Sequence, residues 1–248
     1  MNCKDYALKL ADILKDVDCE GHVSLAFSGG LDSSIIAFII KKCEPSLYTV
    51  GFKNSPDIRN SIEAARDLKL EIEKIIIDEY KLLEAIKKLK NLAPELNPVE
   101  LAFELPLMLV CEDAKHGFLY TGQGADELFG GYAKYMENPE LMPGDLEKVL
   151  TRMSHIERRI ASYHGLKLIT PYLNPDIVKL SSEIPINCKI KDGVRKYVLR
   201  EAGRILGVPE SIIMREKKAA QYGSGIWRNI RKLAKREGKS VSEFLQEI

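Results

Sequence analysis

The stretch that decides the fold is Ser28-Gly29-Gly30-Leu31-Asp32-Ser33-Ser34. An apolar run at 23–27 precedes it and predicts a short buried strand, and a second apolar run at 35–40 predicts the start of a helix. The two glycines allow a tight turn that brings backbone N–H groups close to a bound group, and a helix N-terminus favours an anion. The stretch therefore predicts a phosphate-binding loop, against the plainer alternative of a tight turn without a ligand.

Asp32 is the unusual member of this loop, because a carboxylate repels a phosphate unless a cation lies between them. Mg²⁺ is usually held by one or two carboxylates together with phosphate oxygens, so Asp32 is a candidate magnesium ligand. The loop lacks the Gly-x-x-x-x-Gly-Lys-Ser/Thr spacing of a Walker A site, which argues against an ordinary P-loop NTPase.

The rest of the chain alternates between strand and helix patterns. Strands are predicted at 47–52, 72–77 and 118–121, and helices at 3–17, 56–68, from 79, from 98 with a bend or interruption at Pro106, 146–163, 195–206 and 209–214. This alternation predicts an α/β fold, a doubly wound parallel sheet of about five strands. We expect an N-terminal helix at 1–19, a core with the glycine-rich loops at 20–138 and a mostly helical C-terminal part of the same domain at 139–248.

A second glycine-rich stretch follows the strand predicted at 118–121. It reads Thr121-Gly122-Gln123-Gly124-Ala125-Asp126-Glu127-Leu128-Phe129-Gly130-Gly131-Tyr132. Ligands of open parallel sheets bind outside the carboxyl ends of the strands, where the strand order reverses. The two stretches are therefore expected to meet at one crevice, with Asp32 and Asp126 as a pair of metal ligands. The alternative for Asp126 and Glu127 is that they only cap the next helix.

Composition limits the classes of function. Lys and Arg number 37 and Asp and Glu 36, so the charge lacks the basic excess of a dedicated nucleic-acid binder. The basic residues at 228–239 predict a solvated helix face, with an RNA or acidic-partner patch as the alternative. No stretch approaches the roughly 20 apolar residues of a membrane span. The five scattered cysteines predict reduced, mostly buried thiols and a cytoplasmic protein.

Both glycine-rich stretches carry a family resemblance. The first resembles the PP-loop of the N-type ATP pyrophosphatases, which split ATP into AMP and pyrophosphate. The second is similar to a signature of the synthetase domain of asparagine synthetase B and its β-lactam-forming relatives. The segments 195–200 and 214–225 are similar to later parts of that domain, so the resemblance covers about 20–235. It implies an adenine nucleotide α-hydrolase-like fold with ATP and Mg²⁺ as cofactors.

The resemblance also implies roles for individual residues. The residues implied to hold ATP are Phe27, Ser28, Gly29, Gly30, Leu31, Asp32, Ser33, Ser34, Val50, Thr121 and Gly122. The residues implied in catalysis are Asp32, Gln123, Asp126, Glu127 and Lys217, with Lys218 as the register alternative to Lys217. Among these, Asp32 and Asp126 are the implied metal ligands, and Lys217 is the lysine that reaches the departing pyrophosphate.

The sequence departs from the family pattern on the side of the acceptor acid. Gln123 stands where asparagine synthetases have a glutamate, and a glutamine cannot take a proton from the attacking nitrogen. Glu127 and Glu104 are candidates for that task, unless the nucleophile needs no base. The segment 167–174 lacks the acid and the arginine of the family's Glu-x-Arg-x-Pro-Phe-Leu-Asp. The resemblance therefore implies adenylation of a carboxylate, but it does not imply that aspartate is the acceptor acid.

Taken together, these patterns predict an ATP-dependent ligase that adenylates a small carboxylate and forms an amide. No region here corresponds to the family's glutaminase domain, so the predicted nitrogen source is free ammonia, another amine or a separate ammonia-supplying subunit. Two alternatives stay open, an RNA-modifying PP-loop enzyme and a non-catalytic ATP-binding subunit. The oligomeric state is open as well.

Overall fold

The computed structural model describes residues 1–215 and 223–248. The strands among them are β1 (Ser24–Ala26), β2 (Ser46–Phe52), β3 (Ile72–Ile77), β4 (Phe118–Tyr120), β5 (Lys167–Ile169), β6 (Ile190–Lys191) and β7 (Val194–Arg195). The α-helices among them are α1 (Cys3–Lys15), α2 (Leu31–Ile39), α3 (Pro56–Leu68), α4 (Glu79–Leu92), α5 (Pro98–Asp113), α6 (Ala125–Phe129), α7 (Met142–Lys148), α8 (Ser154–Tyr163), α9 (Pro175–Glu183), α10 (Ile186–Lys189), α11 (Tyr197–Leu206), α12 (Glu210–Ile213), α13 (Ile226–Arg236) and α14 (Val241–Glu247).

Five parallel strands form the central sheet in the order β3-β2-β1-β4-β5. β1 is the middle strand, and Ser24 pairs with Ser46 of β2 on one side and with Leu119 of β4 on the other. β2 and β3, which follow β1 in the sequence, lie on one side of it, and β4 and β5 lie on the other side. The reversal of strand order therefore lies between β1 and β4, and the predicted parallel α/β sheet is confirmed.

Helices cover both faces of this sheet, because successive side chains of a strand point to opposite faces. On β2, Leu47 belongs to a buried cluster formed with α1, α2, α3 and α11, while its neighbour Tyr48 belongs to a cluster formed with α4, α5 and α13. Both clusters are rich in Leu, Ile and Ala. The sheet therefore lies between two apolar layers. The polar residues of the glycine-rich loops lie at the ends of its strands, outside these layers.

Several boundaries differ from the sequence predictions. The predicted bend or interruption at Pro106 does not end the helix, since α5 runs unbroken over Pro98–Asp113. The helix predicted over 146–163 is divided into α7 and α8 by a π-helical turn at Val149–Met153. β5, which the sequence analysis did not locate, comes from the C-terminal part of the chain and completes the sheet beside β4.

The prediction of unpaired thiols is wrong for four of the five cysteines. Cys3 is bonded to Cys188 with their Cα atoms 5.2 Å apart, and Cys19 is bonded to Cys43 with a Cα separation of 6.2 Å. Cys111 is free and buried. Cys3 and Cys188 are 185 residues apart in sequence. Their pairing depends on α1 packing beside the α10–α11 region, which no local spacing of cysteines reveals.

None of the helices in the two described ranges combines the length and the apolar character needed to cross a membrane.

Candidate active site

The first glycine-rich loop is pressed against helix α3. Gly29 has φ +69°, and a Cβ atom built on it would lie 2.6 Å from both the Cα and the backbone N of Ser61. A side chain at this position would collide with backbone that cannot swing away. Glycine at position 29 therefore lets the loop turn and lie directly on α3.

The N-terminus of α2 points its backbone N–H groups out of this loop. Gly30 is the N-cap residue, and within the described ranges no side chain caps the helix there. Ser28 and Ser33 lie beside this end, with their hydroxyl oxygens 3.3 Å apart. Uncapped N–H groups together with two hydroxyls form a site that favours a phosphate group.

Arg215 fixes the outer side of the same loop. Its Nη1 donates to the backbone oxygen of Gly29 at 3.0 Å and to that of Asn60 at 2.8 Å. Through these two hydrogen bonds, the Arg215 guanidinium connects the first loop to α3.

The second glycine-rich stretch follows β4 and lies against the start of α2. A Cβ atom on Gly122 would lie 3.1 Å from the Cβ of Asp32 and 3.2 Å from the backbone N of Ser33. Gly124 has φ +87°, and a Cβ there would overlap the side chain of Leu173. The two loops therefore meet at the reversal of strand order, as the sequence analysis predicted.

Lys196 lies between the two candidate metal ligands. Its Nζ donates to both carboxylate oxygens of Asp32 at 2.6 Å and lies 2.8 Å from Oδ1 of Asp126. The side chain enters over Gly131, where a Cβ would lie 1.7 Å from Oδ1 of Asp126 and 2.3 Å from Cε of Lys196. Burial lowers the pKa of Lys196 below its ordinary value, and the adjacent Asp32 carboxylate acts in the opposite direction.

Sequence reasoning did not assign Lys196 to the site. The segment 195–200 was noted only as similar to a family segment that precedes Lys217. Because 164 residues separate Lys196 from Asp32, no local pattern predicts their contact. The similarity of segment 195–200 to the family segment is the signal that could have identified Lys196 as a site residue.

A cavity of about 470 Å³ opens from these two loops. Its walls include most of the residues predicted to hold ATP, namely Phe27, Ser28, Gly29, Gly30, Asp32, Ser33, Val50, Thr121 and Gly122. Gln123, Asp126 and Glu127 line it as well. Leu31 and Ser34 do not line the cavity. Both belong to α2 and are buried; Leu31 is part of the apolar cluster that α2 forms with α1, α3 and α11, and Ser34 has no exposed surface.

Glu127 is held in the cavity wall by a tyrosine. Tyr132 Oη donates to Glu127 Oε1 at 2.8 Å. Burial raises the pKa of Glu127, while the hydrogen bond from Tyr132 acts against that rise. The carboxyl group of Glu127 is thereby oriented in a partly dehydrated place, where it can take part in proton transfer.

Lys217 and its register alternative Lys218 lie outside the described residues. The two flanks of the segment 216–222 are at the cavity, because Arg215 contacts the first loop and Ser224 lines the wall. The backbone oxygen of Ser224 accepts from the N–H of Phe52 at 3.0 Å, which ties it to the end of β2.

The predicted metal ligands, Asp32 and Asp126, lie close together in the structure. Asp32 and Asp126 face a common cation, the ammonium of Lys196, so the pair fits a positive charge. Within residues 1–215 and 223–248, no group of three or more His, Cys, Asp or Glu side chains is arranged to hold a metal ion. A metal here would need phosphate oxygens to complete its ligands, as Mg²⁺ commonly does.

The sequence profile described as asparagine synthase matches residues 14–157 and 139–244. The chain belongs to the asparagine synthase family. A Methanocaldococcus jannaschii protein named as a glutamine-hydrolysing asparagine synthetase is 32% identical over 295 residues, covering 98% of this chain and 54% of that protein. The glutamine-hydrolysing asparagine synthetase B of Escherichia coli is 26% identical over 226 residues, covering 80% of this chain and 40% of that protein.

The chain therefore spans about half the length or less of these family members. Among solved structures, the NMN synthetase of Francisella tularensis is similar with a TM-score of 0.46 and 16% identity, covering 100% of this chain and 91% of that one.

Proposed function

We propose that this chain is an ATP-dependent, amide-forming ligase that adenylates a carboxylate and releases pyrophosphate and then AMP. The observation that carries the proposal is the meeting of the two glycine-rich loops around Asp32, Lys196 and Asp126. Membership of the asparagine synthase family supports the same reaction class.

In the first half-reaction, a carboxylate oxygen of the acceptor acid attacks the α-phosphorus of ATP. A new P–O bond forms, the bond between the α-phosphorus and the bridging oxygen breaks, and pyrophosphate leaves. The N–H groups at the start of α2, with Ser28 and Ser33, hold the β- and γ-phosphates and stabilise the charge that develops on the leaving group.

Asp32 and Asp126 would hold Mg²⁺, which supplies neutralising charge between the phosphates when bound. Lys196, itself buried, would keep the two carboxylates together. Phe27, Val50, Thr121 and Gly122 would contact the ribose and adenine from the strand ends.

Lys217 would contact the departing pyrophosphate as a compact, mobile charge. Arg215, two residues earlier, is anchored on the backbone oxygen of Gly29. Because Arg215 is held beside the phosphate-binding loop and Lys217 follows two residues later in the sequence, this role for Lys217 is favoured.

In the second half-reaction, a nitrogen attacks the acyl carbon, the C–N bond forms, and the C–O bond to AMP breaks. The nitrogen loses a proton, and Gln123 can only orient it. Glu127, held by Tyr132, would take the proton. The nitrogen would come from free ammonia, another amine or a separate ammonia-supplying subunit.

Exchange of labelled pyrophosphate into ATP tests the first half-reaction without a nucleophile. We expect exchange that depends on Mg²⁺ and on one class of carboxylic acid within a broad panel of amino acids and simple acids. Adding ammonium chloride or glutamine should then yield AMP and an amide.

Asp32→Asn should abolish the exchange, whereas Asp176→Asn, an exposed acid in the first turn of α9, should not. The proposal is overturned if no acid supports exchange or AMP formation, or if Asp32→Asn behaves as wild type.

A further inference from the structure

Apolar side chains of α5 and of the π-helical turn line one part of the cavity. Phe103, Leu107 and Val110 of α5 form one side of it, and Val149 and Met153 of the π-helical turn form another. A π-helical turn widens the helix locally, and such turns are frequent at functional sites. This part of the cavity therefore fits the hydrocarbon body of a small molecule.

Two acidic side chains stand among these apolar walls. Glu104 of α5 is 1% exposed and Glu157 of α8 is 3% exposed, and both line the cavity. Oε1 of Glu104 and Oε2 of Glu157 are buried and have no hydrogen-bond partner among residues 1–215 and 223–248. Buried polar atoms are normally paired, so two acidic side chains that line a cavity and carry unpaired oxygens point to a cationic ligand of that cavity.

Two cations of the site, Arg152 and Lys196, are paired with other acidic side chains. Arg152 binds both carboxylate oxygens of Glu100 and donates to the backbone oxygen of Glu95 at 2.9 Å. Lys196 is engaged by Asp32 and Asp126. Burial and the charge of Glu157 hold the pKa of Glu104 well above its ordinary value, so its carboxyl group stays protonated unless a cation lies beside it.

We propose that Glu104 and Glu157 bind the protonated amino group of an alkylammonium substrate whose hydrocarbon part lies against the apolar walls. The inference rests on the proposed function in one respect: the amine belongs either to the acid that is activated or to the nucleophile that attacks it. Ammonia alone would leave the apolar walls unused.

Binding of n-butylammonium chloride tests the site directly, with n-butanol as the uncharged molecule of the same length. Calorimetric titration of the whole chain should show saturable binding of butylammonium and much weaker binding of butanol. Glu104→Gln and Glu157→Gln should each weaken butylammonium binding by at least about tenfold, because one member of the charged pair is lost.

Glu147→Gln is the matched control, since Glu147 is exposed on α7 and lies outside the cavity wall. It should bind butylammonium as wild type does. Folding of each variant is checked by its thermal transition. Equal binding of butanol, no saturable binding of butylammonium, or unchanged binding in both glutamine variants would overturn the proposal.

The pyrophosphate exchange assay separates the two sources of the amine. If the amine belongs to the acceptor acid, Glu104→Gln and Glu157→Gln raise the KM of that acid in the exchange. If it belongs to the nucleophile, the exchange is unchanged and only amide formation falls. If neither reaction changes, the inference fails. If butylammonium binds but no acid supports exchange, the site stands and the proposed function fails.

Discussion

Lys196 bridges the two glycine-rich loops: its Nζ lies 2.6 Å from each carboxylate oxygen of Asp32 and 2.8 Å from Oδ1 of Asp126. The protein thus places a positive charge of its own at the point where the two loops meet. Since Lys196 is 2% exposed, this charge is screened very little by water.

Replacing Lys196 with methionine should leave two carboxylates facing each other without their cation. Breaking a buried ion pair by removing one partner costs about 3–5 kcal/mol, so we expect the free energy of unfolding to fall by that order. Urea unfolding measures the change. Because the two carboxylates remain, Mg²⁺ should restore more stability to Lys196→Met than it adds to wild type.

Lys179→Met is the control for this experiment, because Lys179 is exposed on α9. Its effect should stay within about 0.5 kcal/mol. Unfolding of Lys196→Met at the wild-type urea concentration would contradict the bridging role of the lysine.

Gly29→Ala tests the contact between the first loop and α3. The added Cβ would lie 2.6 Å from backbone atoms of Ser61, so α3 must shift, and we expect lost ATP binding and a lower unfolding temperature. Gly165→Ala is a matched control with nearly the same φ, +72°, and no atom within 4 Å of its Cβ. That variant should show only the backbone strain of about 1–2 kcal/mol. Similar losses in both variants would mean that strain, not the clash, decides the effect.

The features that local patterns encode were predictable from the sequence. The runs at 23–27 and 118–121 are apolar and end on glycine-rich stretches, so strand, loop and helix follow from neighbouring residues alone. The order of the sheet then places Asp32 and Asp126 together by topology. This accounts for the confirmed fold and for the meeting of the two loops.

The features that depend on tertiary packing were not predictable in this way. Lys196 reaches Asp32 across 164 residues, and apart from the family resemblance of segment 195–200 its neighbours in sequence carry no sign of that contact. β5 has only three residues, none fully buried, so its pattern is too weak to distinguish it from a loop. Glu157 lies on a charged helix whose periodicity changes at the π-helical turn, which hides the face it presents.

The paired cysteines give a prediction about thiol chemistry. Alkylation of the unfolded, unreduced chain should label one cysteine, Cys111, and alkylation after reduction should label five. Closing a long loop restricts the unfolded chain, so loss of the Cys3–Cys188 bond should lower the free energy of unfolding by about 2–4 kcal/mol. Mass spectrometry and urea unfolding of Cys3→Ser measure the two effects. Labelling of three or more cysteines before reduction would contradict the pairing.

Glu157 should make stability depend on pH. Burial, together with the charge of Glu127, raises the pKa of Glu157 to about 8 from an ordinary value of 4.5. Between these values the folded chain keeps a proton at Glu157 that the unfolded chain has released, so the contribution of Glu157 to stability is largest below about pH 4.5 and is lost as pH rises through about 8. The slope from this group is at most about 1.4 kcal/mol per pH unit.

Glu157→Gln removes this titrating group, so between pH 5 and pH 8 the free energy of unfolding of the variant should fall less than that of wild type. Urea unfolding at each pH measures both values. The charge of Glu157 also raises the pKa of Glu104, so that pKa should fall in the variant, and the difference between the two curves reports Glu157 together with this effect on Glu104. The exposed Glu147→Gln should keep the wild-type slope. Parallel curves for wild type and Glu157→Gln would mean that Glu157 is already ionised in the folded chain at neutral pH. A cation would then have to lie beside it.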